Sequence, residues 1–333
     1  MMKSNFSKFV FTLLAGILMM TSSCSSDKDD VQDVSKKVNC TISFAYVENF
    51  IGGSLYPNFA KSCSLWVFDE SGKLVKTYSE SGNKVASLDY SINLDLPEGK
   101  YDFVTWFGIE DDDTVSLGSN PPETIEDLSL NLEFDRYVGG TPDPSTFSQR
   151  LPFIYNGHLS NVEIKKTGSA NTPKNVKINL FRASKDVGVQ LEGKDSNNDI
   201  KNGKFEFIIT NGNNVITWNN IPKATDSFYY YPYNRRNYYI DEGNIYTRLT
   251  ARFSTFPFTM ASDSRLIIIR TTDNKEILNI SLIEDALLKE KDDKFEGTDD
   301  EYLARKDTIT VIVILGEKED GVEDDEKVSI RLK

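Results

Sequence analysis

Ser64-Leu65-Trp66-Val67-Phe68-Asp69-Glu70-Ser71-Gly72-Lys73-Leu74-Val75-Lys76-Thr77-Tyr78 is the stretch on which the fold turns. An apolar, aromatic run breaks at four turn-forming residues and resumes as an alternating run, which is the pattern of a β-hairpin. Further on, Leu94-Asp95-Leu96 meets Pro97-Glu98-Gly99-Lys100, with proline suited to the second turn position and glycine to the fourth. The strand Tyr101-Asp102-Phe103-Val104-Thr105-Trp106-Phe107 follows.

From about residue 38 onward the same period-two grammar recurs, rich in Val, Ile, Tyr, Phe and Thr and broken by Gly, Pro, Asn and Asp. It predicts strands at 153–155, 161–166, 176–181, 187–191, 205–210, 215–218, 266–271, 277–281, 309–315 and 328–332. Residues 282–289 read as one short helix and 121–128 as a turn of another. So many strands in 333 residues fit two β-sandwich domains, each large enough to bury its own core. The expected domains are 38–183 and 184–333, with the boundary near Ala183.

A formal charge of −13 argues against nucleic acid as a partner, because neutralising phosphates requires clustered Lys and Arg. His158 is the single histidine. Mechanisms built on a histidine pair, a His and Cys metal site or a Ser-His-Asp triad therefore lack parts, and neither an enzyme nor a cofactor is expected.

The amino terminus reads as an address. Lys3 and Lys8 flank a basic start, and the apolar run from Phe9 to Met20 is shorter than the roughly 20 residues a spanning helix requires. Residues 1–23 are read as a signal peptide ending in Thr21-Ser22-Ser23, and Thr21-Ser22-Ser23-Cys24 resembles a bacterial lipobox, with Thr21 where Leu is usual. Acylation of Cys24 would fix the chain to the outer membrane, since two or three acyl chains hold stably where one holds only reversibly. Residues 24–37 form a polar tether, and Ser25-Ser26-Asp27-Lys28-Asp29-Asp30 is similar to the surface-export signal of a group of Gram-negative anaerobes.

Several segments in order resemble the FimB-type family of fimbrial anchor proteins: Asn39 to Phe44, Ser64 to Val75, Leu96 to Trp106, and Asp299-Asp300-Glu301-Tyr302-Leu303-Ala304-Arg305-Lys306-Asp307 before a late strand. Tyr155-Asn156-Gly157 departs from the family's frequent Phe-His-Gly, and Ala304-Arg305-Lys306 from its Asp-Arg-Glu. The resemblance implies two transthyretin-like sandwiches in tandem, a lipidated base and a bound fimbrial shaft subunit. It also implies subunit exchange by β-strand complementation and a limit on fimbrial length. A surface glycan-binding lipoprotein or an accessory tip adhesin is the alternative function; no motif supports a glycan directly.

Three constellations remain. Cys40 and Cys63 lie at the edges of two expected strands; a disulfide and two separate buried thiols are both compatible with the sequence. Asp195, Asn197, Asp199 and Glu206 take calcium-loop spacings, but Ile200 stands where the sharp turn needs glycine, so a polar hairpin loop is expected and no metal. The run from Phe228 to Tyr239 is dense in aromatic and basic residues; Tyr229, Tyr231, Tyr233, Arg235 and Arg236 are candidates for an interaction surface, and a half-buried strand is the plainer reading.

Overall fold

The computed structural model describes residues 37–46, 60–87, 89–133, 146–166, 173–194, 198–210, 214–223, 228–240, 246–316, 318–319, 322–323 and 328–332. The signal peptide, Cys24 and the tether up to residue 36 lie outside the described residues. The first ten strands are β1 (Lys37–Tyr46), β2 (Ser62–Asp69), β3 (Leu74–Ser81), β4 (Ser91–Pro97), β5 (Gly99–Phe107), β6 (Val115–Leu117), β7 (Ser129–Leu132), β8 (Thr146–Phe147), β9 (Tyr155–Ile164) and β10 (Lys174–Arg182). They are followed by β11 (Lys185–Lys194), β12 (Phe205–Thr210), β13 (Val215–Thr217), β14 (Tyr229–Tyr230), β15 (Asn234–Ile240), β16 (Tyr246–Thr255), β17 (Arg265–Arg270) and β18 (Lys275–Ser281). The last are β19 (Thr308–Leu315), β20 (Lys318–Glu319), β21 (Val322–Glu323) and β22 (Val328–Leu332).

The quoted hairpin is β2 and β3. Asp69 closes it by accepting from Ser71 N at 2.9 Å, Ser71 Oγ at 2.6 Å and Lys73 N at 3.1 Å. Those donors hold the Asp69 carboxyl below its usual range. Gly72 takes a φ of 78°, a left-handed value that glycine adopts without steric cost.

β3-β2-β5-β9-β10-β1-β4 form one ladder, but β9 and β10 share only Phe181 opposite Asn156 and Arg182 opposite Tyr155. The ladder folds over at that short pairing into two leaves. Phe44 of β1 and Phe107 of β5 prove the stacking: their rings lie 4.9 Å apart, although three strand spacings of about 4.8 Å each separate the two strands along the ladder. Cys40, Ile42, Leu65, Val67, Phe103 and Ile178 are among the side chains that fill the space between the leaves.

β2 is buried on both faces. Leu65 and Val67 point into that first core, whereas Trp66 and Phe68 point away from it into a second. A continuous apolar run in place of strict alternation is the signature of a strand covered twice. The second core continues through the small sheet β13-β7-β6 into the space between β15-β16-β11-β19-β22 and β18-β17-β12-β14-β8. The protein is thus all-β, built of sandwiched sheets. Ala183 lies between β10 and β11, and two ladders join strands on either side of it: β7 with β13, and β8 with β14.

Several expected elements take a different form. Residues 153–155 and 161–166 were expected as two strands; Tyr155–Ile164 is one strand, turned at Asn161 with a φ of 58°. The helix expected at 282–289 is a π-turn, Leu282–Ala286, followed by a 3-10 turn, Leu287–Glu290. A short helix, Asp299–Ala304, was not expected as a helix, although Thr298 and Glu301 make a capping box at its start, with Glu301 N donating to Thr298 Oγ1 at 3.2 Å and Thr298 N to Glu301 Oε2 at 2.8 Å. Thr298→Ala is expected to cost about 1 kcal/mol, read as a lower midpoint in urea unfolding; an unchanged midpoint would deny the cap its role.

At the β10–β11 junction a polar cluster is buried. Lys185 is fully buried, and its Nζ donates to Ala304 O at 2.8 Å and lies 3.2 Å from Asp307 Oδ1. Tyr46 OH donates to the other Asp307 oxygen. Burial pulls Lys185 well below its ordinary pKa and pushes Asp307 up to about 8. Beside them Arg182 bonds Asp186 at 2.6 Å and lies 4.3 Å over the Phe153 ring.

Candidate functional site

β16 carries the sequence Tyr-Thr-Arg-Leu-Thr-Ala-Arg-Phe-Ser-Thr, in which Leu249, Ala251 and Phe253 are buried and Arg248, Thr250 and Arg252 alternate with them. Register sets what stands beside these three. On β15, Asn234 is opposite Arg252, Arg236 opposite Thr250, and Tyr238 opposite Arg248. On β11, Gly188 is opposite Arg252, Gln190 opposite Thr250, and Glu192 opposite Arg248. Beyond Gly188 stands Thr310 of β19. Val187, Val189 and Leu191 turn inward, so these rows form the outer face of the sheet.

That face is concave. Its groove has a volume of about 720 Å³ and is lined by Arg150 and Tyr233 together with the residues of those rows other than Glu192. Gly188 leaves room in the floor: a Cβ there would meet nothing nearer than 3.7 Å. Arginines dominate the charge. Arg236 lies diagonal to both Arg248 and Arg252, a relation that spans about 7–8 Å between Cα atoms, within reach of long side chains.

The carboxylate that lines the groove, Asp186, is already held at 2.6 Å by Arg182 from outside it, and Glu192, beyond the lining, sits 2.6 Å from Arg248. Among the described residues, Arg150, Arg236 and Arg252 have no carboxylate partner. Arg248 Nε is buried and has no hydrogen-bond partner among them either. Neighbouring like charges destabilise a sheet face, so nothing in the fold itself favours this arrangement.

The aromatic run does not form one surface. Tyr233 lines the groove, with its N donating to Arg252 O at 2.9 Å, and Arg236 projects into it. Arg235 alternates to the other face, where it donates to Gly203 O at 3.1 Å and lies 5.8 Å over Phe207. Tyr229 pairs in β14 with Thr146 and Thr210, and Tyr231 N donates to Phe147 O at 2.8 Å; both are half-buried away from the groove. The sequence reading missed Arg248 and Arg252, although the alternation of β16 was there to be read.

Cys40 and Cys63 are free buried thiols, so of the two alternatives the structure holds the unbridged one. Phe44 packs on Phe107, the register partner of Cys63, whereas Cys40 lies four residues back along β1, about 13 Å away. A disulfide needs Cα atoms within about 7 Å. Burial pushes the Cys63 thiol up to about 12, which makes it inert. Of the calcium-loop spacing, Asp195 and Asn197 lie outside the described residues. Asp199 accepts from Thr272 Oγ1 at 3.4 Å and stands 4.0 Å from Arg270 Nε, and Glu206 is paired in β12. Among the described residues no group of three His, Cys, Asp or Glu could hold a metal ion.

Residues 23–333 match the family model described as fimbrillin-A associated anchor proteins Mfa1 and Mfa2. The chain belongs to this family. Solved structures share its fold. The fimbrial anchor protein Mfa2 of Porphyromonas gingivalis is 16% identical, with 89% of this chain and 98% of that one covered at a TM-score of 0.64. A candidate adhesin from Bacteroides thetaiotaomicron is 22% identical, covering 85% and 93% at a TM-score of 0.70. A candidate polysaccharide-binding protein of the same organism is 21% identical, covering 84% and 92% at 0.68. No curated protein matches the chain. Membership of the anchor family gives the protein a fimbrial role at the cell envelope.

Proposed function

We infer that this protein is an outer-membrane lipoprotein that holds a fimbrium to the cell surface through acyl chains on Cys24. In this reading it binds the shaft subunit by β-strand complementation and thereby limits fimbrial length. The observation that carries the reading is the family match across residues 23–333, which includes Cys24. The Lys3 to Cys24 signal and the acidic segment behind it support lipidation and surface display. Function of this kind needs no catalytic centre: main-chain groups along a sheet edge give affinity, and alternate side-chain pockets give specificity. Among the described residues, β3 and β4 edge the seven-stranded sheet, and β15 and β22, and β18 and β8, edge the two five-stranded sheets.

Cys24→Ala tests the anchor. The variant should shed assembled fimbriae into the culture medium, measured as shaft protein in cell-free supernatant against the cell pellet. Fimbriae that stay on the cells would refute anchoring through this thiol.

A further inference from the structure

The arginine groove has no part in strand complementation, because its floor is a sheet face. β16 is paired on both sides, by β15 and β11, and β11 by β16 and β19, so their main-chain groups are already bonded. A peptide strand could gain no ladder there. Whatever occupies the groove is recognised by side chains alone.

Those side chains are of two kinds. Asn234, Gln190, Thr250, Thr308 and Thr310 offer neutral donors and acceptors that suit hydroxyl groups. Arg150, Arg236 and Arg252 offer planar cationic forks with no carboxylate partner among the described residues, in a chain whose net charge is −13. Tyr238, 42% exposed, adds an aromatic face at the rim. The volume of about 720 Å³ is within the range of sites that enclose small ligands. A polyhydroxyl ligand carrying anionic groups satisfies both kinds at once, and a neutral or purely apolar ligand would leave the guanidinium groups unmatched.

We propose that the outer face of β15, β16, β11 and β19 is a binding site for an acidic oligosaccharide, with Arg236 and Arg252 pairing its carboxylate or sulfate groups over the gap left by Gly188. The site uses outward side chains of the sheet face; β15 also forms an edge of that sheet, where a shaft subunit would meet main-chain groups instead, and occupancy does not depend on lipidation. Purified full-length protein is titrated calorimetrically with oligogalacturonate, a heparin-derived oligosaccharide, a neutral cello-oligosaccharide and polyglutamate. Expected is binding to one or both acidic saccharides, weaker as salt rises, and none to the neutral one. Which acidic saccharide binds distinguishes carboxylate from sulfate recognition. Arg236→Glu with Arg252→Glu should weaken binding roughly tenfold or more, because each lost pair becomes a repulsion. Gly188→Val should abolish it by filling the floor, with no change of charge. Both variants alter outward-facing positions, and unchanged circular dichroism and urea midpoints would certify their folding. The proposal is overturned by absence of binding to both acidic saccharides, by equal affinity in well-folded variants, or by polyglutamate binding as tightly as the saccharides.

Discussion

Lys185→Met is expected to destabilise the protein by about 3–5 kcal/mol at and above pH 8, where it leaves an ionised Asp307 carboxylate buried without its cation. Lys185 is fully buried, and its ammonium bonds both Ala304 O and Asp307. The loss depends on pH. Burial raises the Asp307 pKa, so between the ordinary carboxylate range and about 8 the unfolded chain gives up a proton that the folded chain keeps. Stability from this group is complete at acid pH and falls as pH rises through that window. Urea unfolding of Lys185→Met should therefore give a smaller deficit near pH 5 than near pH 8. Adding Asp307→Asn should recover much of the loss, since a neutral amide needs no counter-charge and its oxygen still accepts from Tyr46. A single variant within about 1 kcal/mol of the parent at pH 8 would mean that the pair is neutral or replaceable.

Trp106→Ala is the second large effect, at about 3–5 kcal/mol. The indole is fully buried on the outward face of β5 and meets Trp66 edge to face, with centroids 5.9 Å apart and planes at 77°. Its Nε1 has no hydrogen-bond partner among the described residues, so Trp106→Phe forfeits volume but no bond and should cost clearly less than alanine. The two variants are compared by denaturant midpoint at constant m-value. Equal stability of Trp106→Ala and the parent would show that this face of β5 is not a core.

How far the sequence could be read follows from the range of each interaction. The Asp69 to Gly72 turn, the Pro97 to Gly99 corner and the strand at 205–210 were legible because turn chemistry and alternation act between near neighbours. The Asp299–Ala304 helix escaped because a six-residue helix shows little periodicity, although its Thr298 and Glu301 cap was in plain view. For the candidate site, Tyr233 and Arg236 stood in the aromatic run, whereas Gly188, Arg248 and Arg252 lie elsewhere in the chain and gave no local sign of sharing a face with them.

The sequence alone determined the all-β class, the positions of most strands, and the resemblance to fimbrial anchors, since each rests on residue order and short-range patterning. Only the tertiary structure decided that β2 is covered on both faces, that Cys40 and Cys63 sit too far apart to bond, and that arginines of β15 and β16 line one groove with Gly188. Periodicity says which side chains share a face of one strand. Which strand lies beside it, and in what register, is fixed by packing between residues far apart in the chain.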